Sequence, residues 1–239
     1  MSGTTLSYLW LADNKSIKGA TGPTYTPVAA DRGKKIRVQV SGAKPGYMTM
    51  AKTSKEVTVG YGSIASNVPT ISGTAKVGSK LTAKPGTWTA GTKLTYQWLT
   101  NGKTVSGATT SSFIPGAAQR GTVITVKVTG AKAGYTTVSK TSKATAKVAT
   151  GTLTAPAPTV SGTAKVNKTL TAKPGTWTAG TKLSYQWYAN GKTIAKATKT
   201  TLKLTAGHRG QKITVKVTGS KTGYTTAAKV SKATKAVAK

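Results

Sequence analysis

The stretch Ala83 to Trp98 reads AKPGTWTAGTKLTYQW, and Ala172 to Trp187 reads AKPGTWTAGTKLSYQW, differing only at Thr95 and Ser184. A third, shorter copy opens the chain as SGTTLSYLW, Ser2 to Trp10, and enters the phrase halfway. Aligning the three on Trp10, Trp98 and Trp187 gives spacings of 88 and 89 residues, and the same register pairs Gly33, Gly121 and Gly210, then Tyr47, Tyr135 and Tyr224. A period of about 90 residues is too long for a solenoid unit and suits a whole small domain repeated in tandem. The expected domains are a partial repeat at 1–60 and complete repeats at 61–149 and 150–239.

Repeats 2 and 3 each begin with a proline-bearing joint, YGSIASNVP up to Pro69 and ATGTLTAPAP up to Pro158. Repeat 1 has no counterpart of VPTISGTAKVGSKLTAKPGTW, Val68 to Trp88, and the carboxyl end holds no spare segment to supply it. This predicts that the chain is a piece of a longer polypeptide, the alternative being a naturally smaller first domain.

The patterning within a repeat is that of strands. Leu94, Tyr96 and Trp98 alternate with Thr95 and Gln97, and Ile124, Val126 and Val128 alternate with Thr125, Lys127 and Thr129. That period of two marks strands with one buried face. Ile36, Val38 and Val40, then Ile213, Val215 and Val217, repeat it. Asn101-Gly102 and Asn190-Gly191 sit between apolar strands as two-residue hairpin turns, which need positive φ, and Asp13-Asn14 holds that place in repeat 1. The motifs GAKPGY, GAKAGY and GSKTGY, ending at Tyr47, Tyr135 and Tyr224, mark a second tight connection. Short strands with turns at these intervals indicate an all-β sandwich.

Lys plus Arg total 36 against three acids, Asp13, Asp31 and Glu56, for a formal net charge of +33. Such a field attracts polyanions within about 8–10 Å of the surface at ordinary salt. Candidate partners are cell-wall phosphopolymers, acidic polysaccharides, anionic lipid headgroups and nucleic acid. With no cysteine there is no disulfide frame, thiolate nucleophile or Cys-based metal site. No apolar run approaches the roughly 20 residues of a membrane span, and MSGTTLSYLW lacks the basic flank and apolar stretch of a signal peptide.

The tryptophan in the third strand of each repeat, Trp10, Trp98 and Trp187, resembles the core tryptophan of immunoglobulin-type domains. The corners Ala30-Asp31-Arg32-Gly33, Ala118-Gln119-Arg120-Gly121 and Gly207-His208-Arg209-Gly210 resemble the turn before the sixth strand of that architecture. Without the inter-sheet disulfide, Leu81 or Leu170 facing Val126 or Val215 would fill its space. More narrowly, PTISGTAKVGSKLTAKPGTW, LTYQWLTNGK and ITVKVTGAKAGYTT resemble the tandem Ig-like repeats of secreted surface proteins of actinobacteria. Such repeats commonly follow a wall amidase, glycosidase or protease domain and serve as spacers, wall anchors or adhesive modules. The resemblance thus implies a secreted, cell-wall or cell-surface location and a covalently linked further domain.

The inventory for catalysis is nearly empty. General acid–base chemistry usually needs a histidine or paired carboxylates, and His208, the only histidine, aligns with Asp31 and Gln119 as a turn residue. All three acids fall in repeat 1, no cluster has metal-ligand spacing, and no Gly-rich loop opens a helix to cradle phosphate. The expectation is a protein without catalytic residues, metal or cofactor.

Trp10, Trp98, Trp187, Tyr96 and Tyr185, with Val126 and Val215, are expected in the core. Trp88 and Trp177, each placed at the end of the second strand, either cap the core or present an indole for stacking on a sugar. Tyr47, Tyr135 and Tyr224 carry the same two readings. Lys127, Lys140, Lys216 and Lys229 are expected at outward strand positions, where they would meet a polyanion. Only four arginines, at 32, 37, 120 and 209, accompany the lysines, and lysine seldom reads bases, so no specific nucleic-acid partner is expected. The reading is a non-catalytic extracellular spacer and anchor held electrostatically to anionic wall polymers. The alternatives are a carbohydrate-binding module using Trp88 and Trp177, and an inert stalk.

Overall fold

The computed structural model describes residues 3–239, so Ser2 of the opening phrase lies outside the described residues. Repeat 1 contributes β1 (Thr5–Ala12), β2 (Lys15–Ser16), β3 (Lys35–Ala43), β4 (Met50–Thr53) and β5 (Val57–Thr58). Repeat 2 contributes β6 (Thr70–Ser72), β7 (Leu81–Lys84), β8 (Lys93–Thr100), β9 (Lys103–Thr104), β10 (Ser112–Phe113), β11 (Ile124–Ala131) and β12 (Val138–Thr141). Repeat 3, with its joint, holds β13 (Gly151–Thr152), β14 (Thr159–Ser161), β15 (Thr169–Lys173), β16 (Lys182–Ala189), β17 (Lys192–Thr193), β18 (Thr201–Lys203), β19 (Ile213–Ser220), β20 (Tyr224–Thr225) and β21 (Ala227–Val230). The described residues are all-β apart from a short 3-10 turn at each corner.

By backbone proximity these residues form two compact units. One comprises the chain up to Thr70 with Lys84–Gln97 and Val126–Ser142; the other comprises Ile71–Ala83, Trp98–Thr125 and Lys143–Lys239. The second unit contains the whole of repeat 3, which is an immunoglobulin-like sandwich. A sheet ordered β14-β15-β18 accompanies one ordered β17-β16-β19-β21. Between them Leu170, Ala172, Trp187, Leu204, Ile213 and Val215 share one core, with Tyr185 and Val160 packed against it. Leu170 and Val215, the pair proposed to fill the place of a disulfide, are both fully buried there. The Trp187 indole N–H donates to the Lys199 carbonyl at 2.9 Å, which satisfies its one polar atom in the core.

The hairpins follow from turn chemistry. Asn101-Gly102 and Asn190-Gly191 both adopt positive φ, and so do Asp13 (45°) and Asn14 (65°). In each the first side chain accepts a backbone N–H across the sheet: Val123 to Asn101, Lys212 to Asn190, and Lys35 to Asp13. The corners share another device. Asp31, Gln119 and His208 accept the backbone N–H of Val28, Gly116 and Thr205 respectively, closing one short turn with three side-chain types. His208 accepts through Nδ1 and is a turn residue.

Repeat 1 has a single sheet, β2-β1-β3-β4, with β5 also paired to β3. Trp10 lies opposite Val38 and Tyr8 opposite Val40, as Trp187 lies opposite Val215 and Tyr185 opposite Val217. Their burial differs sharply. Trp187, Val215 and Val217 are 0% exposed, whereas Trp10, Val38 and Val40 are only half-buried. The 20–28 segment folds back to give partial cover: the Trp10 indole donates to Gly22 and its ring lies 5.7 Å from that of Tyr25.

Candidate functional site

Two features recur along the chain: an aromatic pair in repeats 2 and 3, of which repeat 1 has only Tyr47, and the lysines. The second strand ends earlier than the sequence suggested, at Lys84 and Lys173. Trp88 and Trp177 follow a Pro-Gly bend whose glycines, Gly86 and Gly175, both have φ of 75°. Each indole N–H donates to the proline carbonyl three residues back, at 3.1 Å to Pro85 and 3.0 Å to Pro174. The ring lies on a strand glycine. A Cβ added at Gly130 would sit 2.4 Å from Trp88, and one added at Gly219 would sit 2.3 Å from Trp177. Both tryptophans are half-buried, with the polar atom and one ring edge already engaged. These are the contacts of an end cap on the sheet.

The tyrosines meet the joints. In the first unit Gly62 packs on the Tyr135 ring, and a Cβ there would lie 2.7 Å from it. Gly62 donates to the Gly134 carbonyl and accepts from Thr136, both at 2.9 Å. In the second unit Gly151 packs on Tyr224 with a hypothetical Cβ at 2.5 Å, and β13 pairs with β20 in parallel register. A lysine also lies over each ring: Lys132 4.4 Å from the Tyr135 ring and Lys221 4.9 Å from that of Tyr224. Lys44 lies 5.1 Å from the Tyr47 ring, but Tyr47 is 71% exposed. Of the glycines that receive these rings, Gly62 and Gly151 were not singled out by sequence reasoning, and Gly130 and Gly219 only as the first residues of the GAKAGY and GSKTGY turns. The recurrence of each pair 89 residues apart, Gly62 with Gly151 and Gly130 with Gly219, was the available signal.

Strand register divides the four lysines between the two sheet faces. Lys127 faces Thr141 across β11 and β12, but Lys140 faces Val128. Lys229 likewise faces Val217, while Lys216 faces Val230. Directly opposed residues share a sheet face, and Val128 and Val217 are fully buried. Lys140 and Lys229 therefore belong to the core-side face at a sheet edge, where a charge blocks edge-to-edge pairing. Lys127 and Lys216 lie on the outward face.

The ion pairs among the described residues are confined to repeat 1: Lys34 with Asp31, Lys35 with Glu56, and Arg37 with Glu56. Asp31 is buried, and the Tyr25 hydroxyl bonded to it at 2.5 Å holds its carboxyl below the ordinary range, helped by the Val28 N–H. The same bond raises the Tyr25 phenol. Hydrogen bonds from Arg37 and Lys35 lower Glu56. Residues 61–239 hold 27 of the 36 basic side chains and no Asp or Glu. Among the described residues no three His, Cys, Asp or Glu side chains cluster to hold a metal, and no helix is long and apolar enough to cross a membrane.

No family model and no curated protein matches this sequence. Among solved structures, a Ca2+-stabilized adhesin with which an Antarctic bacterium binds ice matches over 100% of this chain and 69% of its own, at 14% identity and a TM-score of 0.36. The three N-terminal domains of the outer capsid protein Hoc of bacteriophage RB49 match over 96% of this chain and 87% of theirs, at 16% identity and a TM-score of 0.26. The N-terminal eight Ig domains of Down Syndrome Cell Adhesion Molecule match over 96% of this chain and 38% of theirs, at 12% identity and a TM-score of 0.28. Superpositions this loose assign no function.

Proposed function

We propose that this chain is a non-catalytic extracellular spacer and anchor of the kind carried by actinobacterial surface proteins, held to anionic wall polymers by its lysines. The observation that carries the reading is the unmixed charge of residues 61–239, which hold 27 basic side chains and no acidic one. Solubility needs net charge but not the absence of acids. Most of these lysines are exposed, and residues 61–239 carry no Asp or Glu to compete for them, so a polyphosphate chain supplies the counter-charges. Each exposed contact contributes about 1 kcal/mol or less, and tandem repeats multiply the effect through high effective concentration.

The repeats, taken as folding units at 1–60, 61–149 and 150–239, set the spacing of those contacts. A covalently linked further domain would be the part that the anchor holds in place. The test is affinity for a purified wall phosphopolymer measured across a salt series. Affinity should fall steeply and log-linearly with salt, as counterion release requires, and should be matched by lysozyme-free polyphosphate but not by a neutral glycan. Salt-independent binding would remove the electrostatic mechanism.

A further inference from the structure

Repeat 3 carries a cavity of about 580 Å³ at one end of its four-stranded sheet, lined by Gly180, Lys182, Ser220, Lys221, Thr222 and Thr226. Strand pairing builds it. Lys182, the first residue of β16, lies opposite Ser220, the last residue of β19, and the turn into β20 brings Lys221 and Thr222 beside them.

Lys221 is held in place. Its Nζ donates to the Ala179 carbonyl at 2.6 Å and lies 4.9 Å from the Tyr224 ring, and the residue is half-buried. An ammonium has three N–H donors, so this anchorage leaves donors for a ligand and lowers the entropy cost of using them. The hydroxyls of Ser220, Thr222 and Thr226 have no hydrogen-bond partner among the described residues. No Asp or Glu occurs in residues 61–239 to neutralise the pair of lysines.

Repeat 2 differs in one respect. Lys93 and Lys132 hold the positions of Lys182 and Lys221, and Lys132 is anchored alike, by the Ala90 carbonyl at 2.8 Å and the Tyr135 ring at 4.4 Å. Ala131 and Ala133, however, stand where repeat 3 has Ser220 and Thr222. The two repeats share the charges and differ in the hydroxyls.

We propose that this cavity of repeat 3 is a phosphate subsite, in which Lys182 and Lys221 supply the counter-charges and Ser220, Thr222 and Thr226 donate to phosphate oxygens. Ammonium groups are point charges without the planar fork that matches a carboxylate. Donors arriving from two strands and a turn suit a tetrahedral group instead. The subsite deepens the wall-polymer reading and rests on it for the identity of the polymer; it adds a local selection of phosphate to the diffuse field.

The experiment titrates the full chain with inorganic phosphate at fixed ionic strength and follows the amide resonances of Ser220, Lys221, Thr222 and Thr226. Their shifts should saturate. Ser220→Ala with Thr222→Ala, which removes two exposed hydroxyls without protein partners, should raise the half-saturating concentration about fivefold. Lys182→Gln with Lys221→Gln should raise it further, whereas Lys192→Gln with Lys203→Gln, which removes equal charge from exposed positions outside the cavity, should change it less than about twofold because those charges are screened. Equal weakening by the two lysine pairs, or acetate shifting the same amides at the same concentrations, would overturn the subsite and leave the wall-polymer reading standing. Saturable, hydroxyl-dependent phosphate binding by a chain that shows no salt-sensitive affinity for wall phosphopolymer would uphold the subsite and remove the wall-polymer reading.

Discussion

Substituting Gly219 with alanine probes the cap at its tightest point. An added Cβ would meet Trp177 at 2.3 and 2.5 Å and the Thr181 methyl at 2.8 Å. The indole cannot simply retreat, because its N–H is bonded to the Pro174 carbonyl at 3.0 Å. Overpacking of this kind costs about 1–3 kcal/mol, and losing the indole hydrogen bond adds about 1 kcal/mol. Gly219 does not have a positive φ, so the substitution carries no offsetting or additional backbone strain. The expected loss is about 2–4 kcal/mol, which corresponds to roughly 30- to 1,000-fold faster global exchange. Native-state hydrogen exchange of Val215 and Val217, fully buried on the same strand, reads it directly. Exchange within threefold of the parent protein would show that Trp177 is not held on the glycine, and the end-cap account would fail.

Trp187→Ala should destabilise repeat 3 by about 3–5 kcal/mol, the range for a fully buried aromatic, while Trp10→Ala, removing a half-buried ring, should cost repeat 1 clearly less; denaturant titration of the two variants decides the order. The corner of repeat 1 should be sensitive to pH at both ends. Because the Asp31 carboxyl is lowered from its ordinary 3.8, its contribution is present above that value and is lost as pH falls through the lowered one. Because the Tyr25 phenol is raised from 10.0, stability there is lost as pH climbs through the raised value. Gln119 and its corner in repeat 2 should show neither dependence in residue-resolved exchange. Replacing the core-side edge lysines, Lys140→Val with Lys229→Val, should promote concentration-dependent association in sedimentation velocity, whereas Lys127→Val with Lys216→Val should do so less.

Most of the architecture was legible because short-range chemistry dictated it. The alternation around Trp98 and Trp187 fixed which strand face is buried, and the Asn-Gly pairs fixed the hairpins, down to Asp13 and Asn14 accepting the same positive φ. What escaped was whatever depends on pairing register or on distant segments. Lys140 sits between Val138 and Ser142 on one face of its strand, and only the register opposite Val128 shows that face to be the core side. The buried Ser142 and Ser231, whose hydroxyls accept the Val126 and Val215 N–H groups, continue that face past the lysines. The roles of Trp88 and Tyr135 depended on partners remote in sequence, Gly130 and Gly62, and a glycine announces no contact of its own.

The central claim concerns charge, and its most direct test is co-sedimentation of the chain with purified Gram-positive cell walls, with and without their phosphopolymers, at low and at high salt. The account predicts that the protein pellets with intact walls at low salt and is released by either high salt or removal of the phosphopolymer. Retention through both treatments would contradict it.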